Sequence, residues 1–70
     1  MSNTTQVSHT WVAFGPAGAV GSIHAMNDGY AFRLTGEEIR QTTYPTLEIA
    51  KRAMVSTLPV GSDWPEFREH

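Results

Sequence analysis

The side chains able to do chemistry are few and widely spaced. Histidines stand at positions 9, 24 and 70, and there is no cysteine. No two histidines have the i, i+4 spacing that would put two metal ligands on one helix face, and no thiolate is available to complete a closed zinc site. No metal centre is therefore expected. Ser22 and His24 are two apart and share one face of any strand, the beginning of a nucleophile–base pair. Strand pairing sets Arg33 rather than a carboxylate opposite His24, so a Ser-His-acid site is not supported. Glu37 and Glu38 are adjacent and point in different directions, whereas paired-carboxylate catalysis needs both groups facing one cleft, about 5–10 Å apart. The run Gly15-Pro16-Ala17-Gly18-Ala19-Val20-Gly21 lacks the Lys-Ser/Thr of a phosphate loop and the Gly-x-Gly of a dinucleotide turn, and no helix follows it. No catalytic residue and no cofactor is expected, and the chain reads as a non-enzyme.

Composition points the same way. The chain has 70 residues, five basic and seven acidic, for a formal charge of −2. That balance argues against a nucleic-acid binder whose affinity rests on overall charge. Apolar residues make up 40%, enough for one small core in a single domain. A core of this size supplies only about 3–5 kcal/mol of net stability. The first ten residues hold no basic cluster and no apolar run of signal-peptide length, and no stretch of membrane-spanning length occurs, so a cytoplasmic protein is expected. Residues 1–9 are polar and are expected to be mobile; residues 10–70 form the domain.

The elements follow from local patterning. Thr10 to Phe14 is aromatic and β-branched and stops at Gly15-Pro16, which reads as a first strand. Val20 to Asn27 and Tyr30 to Thr35 read as two more, joined by Asp28-Gly29 in a type I′ turn. This register collects Ile23, Ala25, Phe32 and Leu34 on one face and His24, Met26, Ala31 and Arg33 on the other. A second turn at Gly36-Glu37 leads to a fourth strand, Glu38 to Thr43, which sets Arg40 beside Arg33. After Pro45, Thr46 caps a helix whose Leu47, Ala50, Ala53, Met54 and Leu58 form an apolar stripe ending before Pro59. In the tail 59–70, Gly61-Ser62-Asp63 is a turn. Asp63-Trp64-Pro65-Glu66 reads as a capping box opening one helical turn, on which Trp64 and Phe67 share a face and either cover the rim of the core or dock into a partner.

The expected fold is thus α+β: an antiparallel four-stranded β-meander, one α-helix on one face, and a short C-terminal helical turn. The helix leaves the other face open. If Val12 and Phe14 point to the helix, that face carries Trp11, His24, Arg33 and Arg40. Trp and Arg are enriched at interaction hot spots, so these four are the candidate binding residues, with Trp64 and Phe67 as tail anchors. The expected function is a non-catalytic interaction module that binds protein or self-associates through this face or an edge strand. Nucleic acid bound on the same face is the alternative, with no role at a membrane.

Two resemblances bear on this reading. The run Tyr30 to Ala53 resembles the strand-turn-strand-helix unit of small β-meander-plus-helix domains. Among these are the three-stranded DNA-binding domains of the integrase amino-terminal and plant transcription-factor type. Their sheet face carries basic residues to the major groove, and Arg33 and Arg40 stand at matching positions, so this resemblance implies the nucleic-acid alternative. Over its whole length the chain is similar to short actinobacterial proteins of unknown function, through Trp11–Gly15, Tyr44–Glu48 and Trp64–His70. Some of these carry a methyltransferase label. A cofactor-binding α/β sheet needs several parallel strands with crossovers of about a dozen residues or more; one helix cannot supply them, and methyltransferase activity is not expected. What this resemblance implies is a small bacterial α+β domain with an integral tail.

Overall fold

The computed structural model describes residues 9–59, 61 and 63–70. Within them the chain forms β1 (His9–Gly15), β2 (Gly18–Met26), β3 (Gly29–Leu34), α1 (Leu47–Ser56) and β4 (Glu66–Glu69). The strands make one antiparallel sheet in the order β3-β2-β1-β4. The expected four-stranded antiparallel sheet with one helix packed on it is observed, with β1, β2 and β3 in meander order and the fourth strand beside β1. The segment expected to be mobile, 1–9, lies outside the described residues except for His9, which begins β1. Among the described residues no helix is long and apolar enough to cross a membrane.

The β2–β3 hairpin turns one residue earlier than its Asp28-Gly29 dipeptide suggests. Gly29 pairs with Met26, so Asn27 and Asp28 form the loop, and Ile23 lies opposite Phe32 rather than Leu34. Each residue of β2 therefore meets a partner two places away from the expected one. A shift of two preserves the pleat, and the sorting of side chains between the faces survives. The cause lies outside the hairpin. Tyr44 exchanges two backbone hydrogen bonds with Tyr30, 2.9 and 2.8 Å long. A Cβ on Gly29 would stand 2.6 Å from the Tyr44 carbonyl oxygen, and Gly29 has φ +140°. Only glycine meets both conditions.

The segment 38–43 does not form the expected fourth strand. It runs beside β3, with the Arg40 amide donating to the Phe32 carbonyl at 3.0 Å before Tyr44 reaches Tyr30. Between these two anchors β3 advances two residues and the returning chain advances four. The surplus bows it out of the ladder. The fourth strand instead comes from the tail: Glu66–Glu69 pairs with β1, Phe67 lying opposite Ala13. The expected helical turn at Asp63–Glu66 is therefore absent. A single turn has one hydrogen bond to offset the ordering of its residues, whereas the outer edge of β1 presents a whole row of unpaired groups. Pro65 is buried just before the strand begins, where its missing N–H costs no ladder bond. Ser62 of the expected turn lies outside the described residues.

The helix starts where its cap places it. Thr46 has extended backbone, and its Oγ1 accepts from the Ile49 amide at 3.1 Å. Glu48 occupies the first turn, where the helix dipole favours a negative charge. Ala50 and Met54 are fully buried and join Ala13, Ile23 and Phe32 in the core. Trp11, Tyr30, Leu34, Tyr44, Leu47 and Phe67 pack around it. Phe67 thus anchors the tail, with the Lys51 ammonium 5.1 Å from its ring centroid. Trp64 does not: its side of the tail is open, and the residue is 56% exposed.

Candidate binding face

The open face begins with β1, where alternation has to choose between Trp11/Ala13 and Val12/Phe14. Ala13 is fully buried in the core beside Ala50 and Met54. Trp11 follows Ala13 onto this core side by strand alternation. There its ring meets Tyr30 and His9 at centroid distances of 5.9 and 5.8 Å. The open face therefore carries Thr10, Val12 and Phe14 in place of Trp11. Arg40 is also elsewhere. Its guanidinium lies 5.1 Å from the Phe32 ring centroid, at the β3 edge of the sheet. It lines a hollow at the β3 edge with Met26, Ala31 and Ile39, apart from the hollow that contains Arg33. Of the four candidate binding residues, His24 and Arg33 come together on the open face; Trp11 lies on the core side, and Arg40 stands at the β3 edge, by a separate hollow that includes the open-face residues Met26 and Ala31.

Around His24 the strands converge in an ordered polar group. Thr10 and Ser22 flank it because Thr10 is its partner across β1–β2 and Ser22 lies two residues before it on β2. Ser22 Oγ is 2.8 Å from His24 Nε2, and Thr10 Oγ1 is 3.3 Å from Nδ1. A neutral imidazole has one N–H and one lone pair, so in either tautomer both ring nitrogens are engaged by hydroxyls. Ser22 is only 7% exposed. Directly across β2–β3 from Ser22 stands Arg33. These residues, with Val12, Thr35 and His70, line a shallow hollow of about 600 Å³. The end of β3 is held over it by Thr35, whose amide donates to the Val20 carbonyl at 3.0 Å and whose Oγ1 donates to that of Ala19 at 2.9 Å.

Charge on this face is unevenly satisfied. Arg68 is turned to the open side by its pairing with Val12, stacks over Phe14 at 5.5 Å, and is bound by Glu66 at 3.1 Å. Arg40 and Lys51 likewise have glutamates, Glu37 at 3.5 Å and Glu48 at 3.7 Å. Arg33 is exposed and, among the described residues, has no carboxylate within ion-pair distance. No group of three or more His, Asp or Glu residues is placed to hold a metal ion among the described residues.

Burial holds the His24 pKa below its ordinary 6.5, and the Arg33 charge adds to the effect. Above pH 6.5 the ring is neutral in the folded and unfolded chain alike. As pH falls below that value the unfolded chain takes up the proton first, so stability is lost until the folded-state pKa is passed. An NMR titration should place the His24 midpoint under 6.5. The denaturation midpoint of the wild type should fall more steeply with acidification than that of His24→Gln. A His24 midpoint above 6.5 would contradict the packing described.

Sequence reasoning had isolated Ser22 and His24 as neighbours but missed Thr10, Val12 and Thr35. The signal for Thr10 and Val12 was present only in part, since alternation sets both on the other side from Ala13 but does not say which side of β1 faces the core. Comparison with known protein families, with curated proteins and with solved structures finds no match for this chain.

Proposed function

We propose that this chain is a small, non-catalytic interaction module that binds a protein partner across the open face of its sheet. The observation that supports this most is Arg33, an exposed guanidinium with no ion-pair partner among the described residues, at a hollow lined with hydroxyls. Exposed arginines beside apolar side chains are frequent binding hot spots, and here Val12 and Phe14 supply the apolar part.

The edges of the sheet are less suited to the task. The chain from Arg40 to Tyr44 already occupies hydrogen-bonding groups on the outer side of β3. β4 has four residues, three of them charged, the pattern with which proteins discourage strand addition. A catalytic role finds little support, because a hydroxyl, not a carboxylate, holds the far nitrogen of His24. Nucleic acid is disfavoured by the glutamate that neutralises Arg68 on the same face.

Selection of a random peptide display library against the intact protein tests the reading. Peptides enriched on the wild type should lose at least about tenfold in affinity for Arg33→Glu and Val12→Glu. They should bind Arg52→Glu, altered on the exposed side of the helix, as they bind the wild type. Peptides sensitive to Arg52 and indifferent to Arg33 and Val12 would overturn the proposal.

A further inference from the structure

Resting on the binding-face reading, we propose that Arg33 and the Ser22 hydroxyl form a subsite for a carboxylate, supplied by an acidic side chain of the partner. Ser22 and Arg33 are a directly opposed cross-strand pair, so their side chains rise from the same point of the open face. Facing side chains on adjacent strands stand roughly 5 Å apart at Cβ, within the span of one small anion. The guanidinium offers two parallel N–H donors that match the two oxygens of a carboxylate.

The position of the hydroxyl oxygen is already fixed. His24 Nε2 holds Ser22 Oγ at 2.8 Å, and Thr10 holds the imidazole from its other nitrogen. In the tautomer with Nε2–H, His24 donates to Ser22 and the serine proton is left free to point outward to a ligand. With the other tautomer the serine proton turns back to the ring, so the ligand selects the first. Thr10 on β1, Arg33 and Ala31 on β3, and His70 beyond β1 are the groups that surround this arrangement.

The charge inventory selects carboxylate over phosphate. Arg33 is the one permanent cation lining the hollow, among the described residues. A phosphoryl dianion is ordinarily met by a second cation or by a nest of free backbone amides. In this hollow the strand amides are committed to the sheet ladders. A single negative charge matches a single guanidinium.

The test is an NMR titration of the full chain, observing the Arg33 side-chain Nε–Hε and the His24 ring. The probes are an acetylated, amidated tetraglutamate peptide, its tetraglutamine counterpart, acetate and inorganic phosphate. Tetraglutamate should shift Arg33 and His24 saturably, and tetraglutamine should leave them unmoved. Acetate, without the rest of a chain to lay over Val12, should act on the same signals about tenfold more weakly. Arg33→Lys should keep part of the response and Arg33→Gln should abolish it. Because the bound carboxylate offsets the charge that opposes His24 protonation, the His24 titration should move upward in the complex. A merely structural role for Ser22 and His24 would not produce that movement.

Equal shifts at Arg33 and Arg52 would reduce the effect to general charge attraction and overturn the subsite. Phosphate binding tighter than tetraglutamate would overturn the choice of ligand. Selected peptides that engage Val12 and Phe14 without disturbing Arg33 or His24 would sink the subsite and leave the binding-face reading standing. Failure of that reading itself shows separately, as sensitivity of the selected peptides to Arg52 alone.

Discussion

Phe32→Ala should leave the chain unfolded in dilute buffer at room temperature. Phe32 is 1% exposed and is the largest fully buried side chain of the core. It lies under the helix, with Tyr44 stacked 6.0 Å away at 20° and the Arg40 guanidinium over its ring. Truncating such a residue costs about 3–5 kcal/mol through lost burial and the cavity left behind. That matches the whole of the ~3–5 kcal/mol that a core in so short a chain supplies. The loss also releases the return of the chain from Arg40 to Tyr44, which seals β3. Circular dichroism and amide dispersion should both report an unfolded chain, while Phe32→Leu, which keeps much of the volume, should fold with reduced stability. A cooperative transition for Phe32→Ala weakened by under about 1 kcal/mol would show that the core lies elsewhere.

Gly21→Ala is the second large effect, and it acts through one methyl group. A Cβ there would meet the Arg33 carbonyl oxygen at 2.5 Å, Met54 Cε at 3.2 Å and the Leu34 Cα at 3.3 Å. The methionine tip can move; the β3 backbone cannot move without parting from β2. Overpacking costs about 1–3 kcal/mol where side chains can adjust, and a backbone clash places this substitution at the upper end. Urea denaturation should show a midpoint lowered by that amount with the slope unchanged. Because Gly21 precedes Ser22, whose partner is Arg33, the same substitution should shift the Ser22, His24 and Arg33 resonances. Stability within about 0.5 kcal/mol of wild type would mean that the strands are not so closely apposed.

What was legible in the sequence was what local signals decide. Thr46 followed by Leu47, Ala50, Ala53, Met54 and Leu58 is a cap and a stripe, and α1 starts where they place it but ends at Ser56, short of Leu58. The faces of β2 and β3 were legible because alternation is indifferent to a shift of two. The turn itself was not: Asn27-Asp28 and Asp28-Gly29 both offer turn residues, and the choice falls to Tyr44, far along the chain. The identity of the fourth strand was hidden for a similar reason. Glu66–Glu69 has one apolar residue and no alternation to read, and its extended form is imposed by the open edge of β1. The facing of β1 was not legible, because Trp11/Ala13 and Val12/Phe14 both offer an apolar side and alternation alone does not choose between them. Of the candidate site, His24 and Arg33 depended only on the well-read strands, while Trp11 and Arg40 depended on the two places where distant contacts decide.

The most direct measurement of the central claim is a set of intermolecular nuclear Overhauser effects between the labelled protein and an unlabelled peptide enriched by selection. The account expects contacts from the peptide to the Val12 methyls, the Phe14 and His24 rings and the Arg33 side chain. It expects none to Ile49, which is exposed on the helix. Contacts to Ile49 or to the exposed Trp64, with the open face silent, would contradict it.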